Sequence, residues 1–164
     1  MAVQWWQGVV AGGAATVVMT LLLQMGGWMG MTRMNMGLML GSMFVGDPGR
    51  ARAVGWTMHL VNGLVFGLLY AVVFWIVDPE SVSSAWWIGL LVSLAHGIVA
   101  LASMPIMSAV HPRVRASDVG ATGELTLPRF GFGGRGFGAG TPVGILMGHL
   151  AFGLVWGLVF WALV

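Results

Sequence analysis

Four stretches of this chain, Trp5–Met25, Val54–Val77, Ala85–Met107 and Val143–Val164, contain no Asp, Glu, Lys or Arg. Each supplies the roughly 20 apolar residues that an α-helix needs to cross the hydrocarbon of a bilayer. Every charged residue falls between them, so the charges alone mark the connections. The chain reads as all-α, a polytopic membrane protein with four transmembrane helices at about 5–25, 54–77, 85–107 and 143–164 in one membrane domain. Composition agrees. Only 7% of residues are charged and the mean hydropathy is +0.90, whereas soluble domains carry roughly 25% charged residues. With 164 residues there is no room for a soluble enzyme beside the spans. The absence of cysteine excludes disulfides, thiolate metal sites and cysteine nucleophiles. No basic stretch precedes the first span, which is therefore read as an uncleaved anchor.

The connections alternate in charge. Residues 26–53 hold Arg33, Arg50 and Arg52 against Asp47; the short turn "DPESVSS" holds Asp78 and Glu80. Residues 108–142 hold Arg113, Arg115, Arg129 and Arg135 against Asp118 and Glu124. Arginine in short loops marks the cytoplasmic side, while acids count little. The expected topology places both arginine-rich loops in the cytoplasm and both termini outside, in a prokaryotic cytoplasmic membrane. A net charge of +2 is too small to argue for nucleic acid.

Two loop segments carry patterns of their own. In "MGGWMGMTRMNMGLMLGSM" (25–43), Met25, Met29, Met36, Met39 and Met43 would share about 80° of one continuous helix. Gly26, Gly27 and Gly30 offer a break, which predicts a short Met-rich helix at the membrane interface. Thioethers are soft enough for Cu(I), but no His or Cys lies among them; a pliable apolar face against lipid or a subunit is the simpler reading. In "PRFGFGGRGFGAGTP" (128–142), Gly131, Gly133 and Gly136 match Gly-x-Gly-x-x-Gly. A dinucleotide site would need a preceding strand and a soluble helix, and a proline and a membrane span stand there instead. The segment reads as a flexible loop, with Phe130, Phe132 and Phe137 dipping into the interface and Arg129 and Arg135 near lipid phosphates.

The strongest motif is written twice, as "HLVNGLVFG" at 59–67 and "HLAFGLVWG" at 149–157. Positions 0, +4 and +8 drift only about 80° around a helix, so His59, Gly63 and Gly67 form one stripe and His149, Gly153 and Gly157 another. The two halves look like a duplicated two-helix unit, although the first and third spans show no equally clear match. Three readings stay open. Glycine stripes let helices approach closely in lipid, with the imidazole hydrogen-bonding across. Alternatively His59 and His149, with His96 as a third candidate, ligate a b-type haem or a metal. Such ligands want a hydrogen-bonded second partner, and the spans offer Asn62, Thr57, Ser93 and Ser103. Lastly, intramembrane histidines could relay protons in a small transporter or channel. His111, in "AVHPR", is expected to be solvated.

"GWTMHLVNGLVFGLLYA" (55–71), "ASMPIMSAV" (102–110) and "TPVGILMGHLAFGLVWGLVF" (141–160) resemble an uncharacterised domain-of-unknown-function family of small four-span prokaryotic membrane proteins. The resemblance rests on Gly-Trp-x-x-His at the second span, Met-Pro at the end of the third and His-x-x-x-Gly-x-x-x-Gly in the fourth. It extends over roughly the last two thirds of the chain and the glycine-rich first span. It implies the four-span fold, and the family has no agreed activity. With no catalytic constellation in the sequence, the chain is expected to be a non-enzymatic accessory or structural subunit. Its neighbours would be the lipid bilayer and other membrane subunits or further copies of itself, with a respiratory electron-transfer complex as one host.

Overall fold

The computed structural model describes residues 4–114 and 125–164. Among these the chain is helical: α1 (Trp5–Trp28), α2 (Met36–Gly41), α3 (Pro48–Val77), α4 (Val82–Val110) and α5 (Thr141–Ala162), with a 3₁₀ turn at Phe132–Phe137. Four of them, α1, α3, α4 and α5, are long and apolar enough to cross a membrane. Observed ends lie within a few residues of the expected spans, except that α3 starts earlier. Its extra turns follow from Pro48 at the first helical position, where the missing N–H costs nothing. Asp47 precedes it, and its Oδ1 accepts from the Arg50 N–H at 2.8 Å, satisfying an otherwise orphaned donor.

α1 continues through Gly26 and Gly27 and stops one step later. Gly30 takes φ +73°, and the N–H groups of Gly30 and Met31 return to the carbonyls of Gly27 and Gly26. That pairing closes a helix end on a left-handed residue, a conformation that glycine adopts without steric cost.

The helices fall into two compact units. The first comprises residues 1–23, 60–98 and 146–164, the second residues 24–59 and 99–145.

The first unit is held by small residues that let helix backbones touch. α1 meets α3 along Gly8, Gly12 and Thr16 facing Gly63 and Gly67; a Cβ on Gly8 would lie 2.9 Å from the Gly67 oxygen. α4 meets α5 along Ala85, Gly89 and Ser93 facing Gly153 and Gly157. Both donor stripes have the spacing i, i+4, i+8, so each repeated glycine stripe receives the span that precedes it. Between α3 and α5 runs a row of buried aromatics. Phe74 meets Trp156 edge-on at 4.6 Å, and Trp156 stacks on Phe160 at 4.6 Å. The Trp156 indole N–H donates to the Gly8 oxygen at 3.3 Å, which answers the one polar atom of a fully buried ring.

The second unit has a core of Met34, Met39, Met104, Leu127, Phe130, Phe137 and Ile145. Asn35 caps α2, its Oδ1 accepting from the Leu38 N–H. The backbone of α2 rests directly on the first turns of α3, with Gly41 against Ala51 and Gly55 against Gly37.

Two sequence expectations meet the structure here. The break falls at Gly30 and the short helix α2 follows it, but the methionines do not form one outward apolar face. Met25 and Met29 are exposed, while Met34 and Met39 are buried. The segment 128–142 is not a loose loop either. Gly131, Gly133 and Gly134 take φ of +66°, +62° and +74°, and the Gly136 N–H donates to the Phe130 oxygen at 2.8 Å. This tight turn drives Phe130 and Phe137 into the core and leaves Phe132 outside. The charges Arg115, Asp118 and Glu124 lie outside the described residues.

Candidate functional site

Three polar side chains of the first unit, Tyr70, His96 and His149, come together where α3, α4 and α5 meet. His96 of α4 is followed by Gly97, and the missing side chain there admits His149 of α5; a Cβ at Gly97 would stand 3.1 Å from the Cβ of His149. The two imidazoles consequently meet edge to face, centroids 4.6 Å apart at 82°. Phe66 stacks on His96 at 3.8 Å. The Tyr70 hydroxyl, one helical turn on, lies 3.3 Å from His96 Nδ1. Phe66 and Tyr70 are the +7 and +11 positions of the first histidine motif (66 − 59 and 70 − 59). The aromatics of that motif therefore serve the histidine of a different helix.

His149 and Tyr70 are buried and His96 is partly so. Within a span, charge on such groups is expensive, so the cluster works through neutral imidazole and phenol. A neutral ring holds one N–H donor and one lone pair, and a phenol can both donate and accept. The arrangement can pass a hydrogen bond from Tyr70 to His96 and tie α3 to α4.

A haem held between His96 and His149 does not fit this geometry. Two imidazoles on opposite faces of an iron, each at about 2 Å, would have centroids about 6 Å apart, and the observed rings are in direct contact. Among the described residues no group of three or more His, Cys, Asp or Glu side chains is placed to hold a metal. His59 belongs to the second unit, where it meets the Trp56 ring at 5.9 Å.

The side chains expected to support the histidines do other work. Thr57, Ser93 and Ser103 bond carbonyls of their own helices, at Ala53, Leu90 and Ala100. Asn62 lies on the exposed face of α3, in line with exposed Val65, Leu69, Val72 and Ile76.

His111 overturns its expected place in solvent. It is 4% exposed, with Nε2 3.0 Å from the Met39 oxygen and the Arg113 N–H donating to Nδ1 at 3.1 Å. Burial lowers its pKa below the usual imidazole value, and the Arg113 charge lowers it further, against an opposing push from the Met39 carbonyl. No sequence signal marked this, since its two shortest contacts are to backbone groups.

No family model, no curated protein and no solved structure matches this chain.

Proposed function

We propose that this chain is a non-enzymatic membrane subunit that works in contact with other membrane-embedded chains. Asn62 carries the reading. It stands 10 residues beyond Arg52 (62 − 52) and 16 before Asp78 (78 − 62), about 15 and 24 Å along a helix, and so deep within the α3 span. Its amide is exposed, and among the described residues nothing bonds it. Hydrocarbon offers no hydrogen bonds, and an unbonded amide in apolar surroundings costs on the order of 1–3 kcal/mol. A polar side chain on a neighbouring helix relieves that cost, and this is a recognised basis of helix association in lipid. The apolar residues flanking Asn62 supply the surrounding contact.

In this reading the arginine-rich connections face the cytoplasm and the termini face out. Extraction at low detergent, followed by native electrophoresis and cross-linking, tests the assembly. A complex is expected that Asn62→Leu weakens and Asn62→Gln largely keeps. A single homogeneous monomer from native membranes would count decisively against it.

A further inference from the structure

The second unit contains a cavity of about 260 Å³ lined by Arg33, Asn35, Leu38, Leu127, Pro128 and Phe137. Its walls are mainly apolar, and its polar groups are of one kind. Arg33 is a permanent cation, and Asn35 has already committed its oxygen to the Leu38 N–H, leaving its NH₂ as a donor. No carboxylate lines the cavity. These side chains favour a guest that accepts hydrogen bonds, carries negative charge and presents an apolar part.

The position in the fold narrows this further. α1 ends at Trp28, five residues before Arg33 (33 − 28). The Thr32 hydroxyl bonds that of Thr141, the first residue of α5, at 2.6 Å, and the Arg33 N–H donates to the Phe137 oxygen at 2.8 Å. The cavity thus lies beside the ends of two membrane-length helices, the level at which headgroups begin when those helices cross a bilayer. Exposed Trp28, an amphipathic ring suited to that boundary, marks the same level. A free hydrated anion would gain nothing from the leucine, proline and phenylalanine walls.

We propose that this cavity binds an anionic phospholipid, with Arg33 and Asn35 on the phosphate and Leu38, Leu127, Pro128 and Phe137 on the glycerol and upper chain. The site is independent of the Asn62 surface, so either can fail alone.

Native mass spectrometry of the full chain in detergent tests it, with phosphatidylglycerol and phosphatidylcholine of identical chains as probes. Phosphatidylglycerol should be retained about fivefold better, the increment expected of one basic residue at an anionic surface. Arg33→Gln should abolish the preference and Arg50→Gln should leave it. Millimolar inorganic phosphate should not displace the lipid. Equal retention of the two lipids, an unchanged preference in Arg33→Gln, an equal loss in Arg50→Gln or displacement by phosphate would each overturn the proposal.

Discussion

The Nε2 of His111 lies 3.0 Å from the backbone oxygen of Met39, 72 residues away in sequence, and this contact permits only one form of the ring. A carbonyl can only accept, so Nε2 carries the proton. The Arg113 N–H can only donate, so Nδ1 carries the lone pair. Ser42 Oγ stands 3.4 Å from the same Nε2, and Phe130 packs against the ring at 5.5 Å. Neutral His111 therefore clasps α2 to the segment after α4, and a proton on Nδ1 would set two donors against each other.

The pH dependence follows from that geometry. The folded pKa is lowered by burial and by Arg113, so the unfolded chain takes up the proton more readily than the folded one. The clasp contributes fully above about pH 6.5, the ordinary imidazole value, and its contribution falls as pH drops from there toward the folded value. Thermal melts in detergent should show lower stability near pH 5.5 than near pH 7.5, with a smaller difference in His111→Gln, which keeps a donor for Met39 and cannot be charged. His111→Ala should cost about 1–3 kcal/mol at neutral pH by orphaning buried partners. An identical pH profile in His111→Gln would remove the clasp from the explanation.

Glycines of one helix type should respond in opposite directions. A methyl group on Gly63 would enter the space of the Thr16 side chain, and overpacking of this kind costs about 1–3 kcal/mol. One on Gly144 of α5 meets nothing within 4 Å, and Gly→Ala inside a helix gains up to about 1 kcal/mol. Melting temperatures of Gly63→Ala and Gly144→Ala should move down and up, respectively. Stabilisation by Gly63→Ala would deny the close α1–α3 contact, and destabilisation by Gly144→Ala would deny the open space at Gly144.

The histidine pair makes a spectroscopic prediction as well as an energetic one. Tyr70→Phe removes the hydroxyl at His96 Nδ1 and should cost about 0.6 kcal/mol, the average for hydrogen bonds between membrane helices. In a double-mutant cycle it should couple to His96→Phe and not to His111→Gln. Protein produced with ample haem should show no Soret band. A band that disappears with His149→Gln would replace the hydrogen-bonded tie with a haem site.

Sidedness is tested by fusions at Val164. A periplasmic reporter there should be active and a cytoplasmic fluorescent reporter dark, if the arginine-rich connections face inward. The opposite pattern would invert the topology.

The spans were legible in the sequence because the requirement is one-dimensional. A helix crosses hydrocarbon when about 20 successive residues are apolar, and the chain places every charge outside those runs. The small-residue stripes of α3 and α5 were legible too, since helical periodicity maps position onto face without knowledge of any neighbour. The stripe Ala85, Gly89, Ser93 is not legible as a match for Gly8, Gly12, Thr16, because alanine and serine do not spell glycine, yet at van der Waals contact smallness is what matters.

What only the tertiary structure decided is which faces meet. The sequence singled out His59 and His149 by their shared motif, but His96 is the ring that touches His149, because Gly97 leaves room for it. Tyr70 became a partner and Asn62 an outward-facing amide, although both lie on α3. By sequence His111, Phe130 and Phe137 lie in a connection, yet they are buried, since a turn of left-handed glycines packs the two phenylalanines into the core with Met39 and His111 bonds the Met39 carbonyl. Periodicity assigns a residue to a stripe. Only packing in three dimensions determines whether that stripe faces lipid, a glycine or another imidazole.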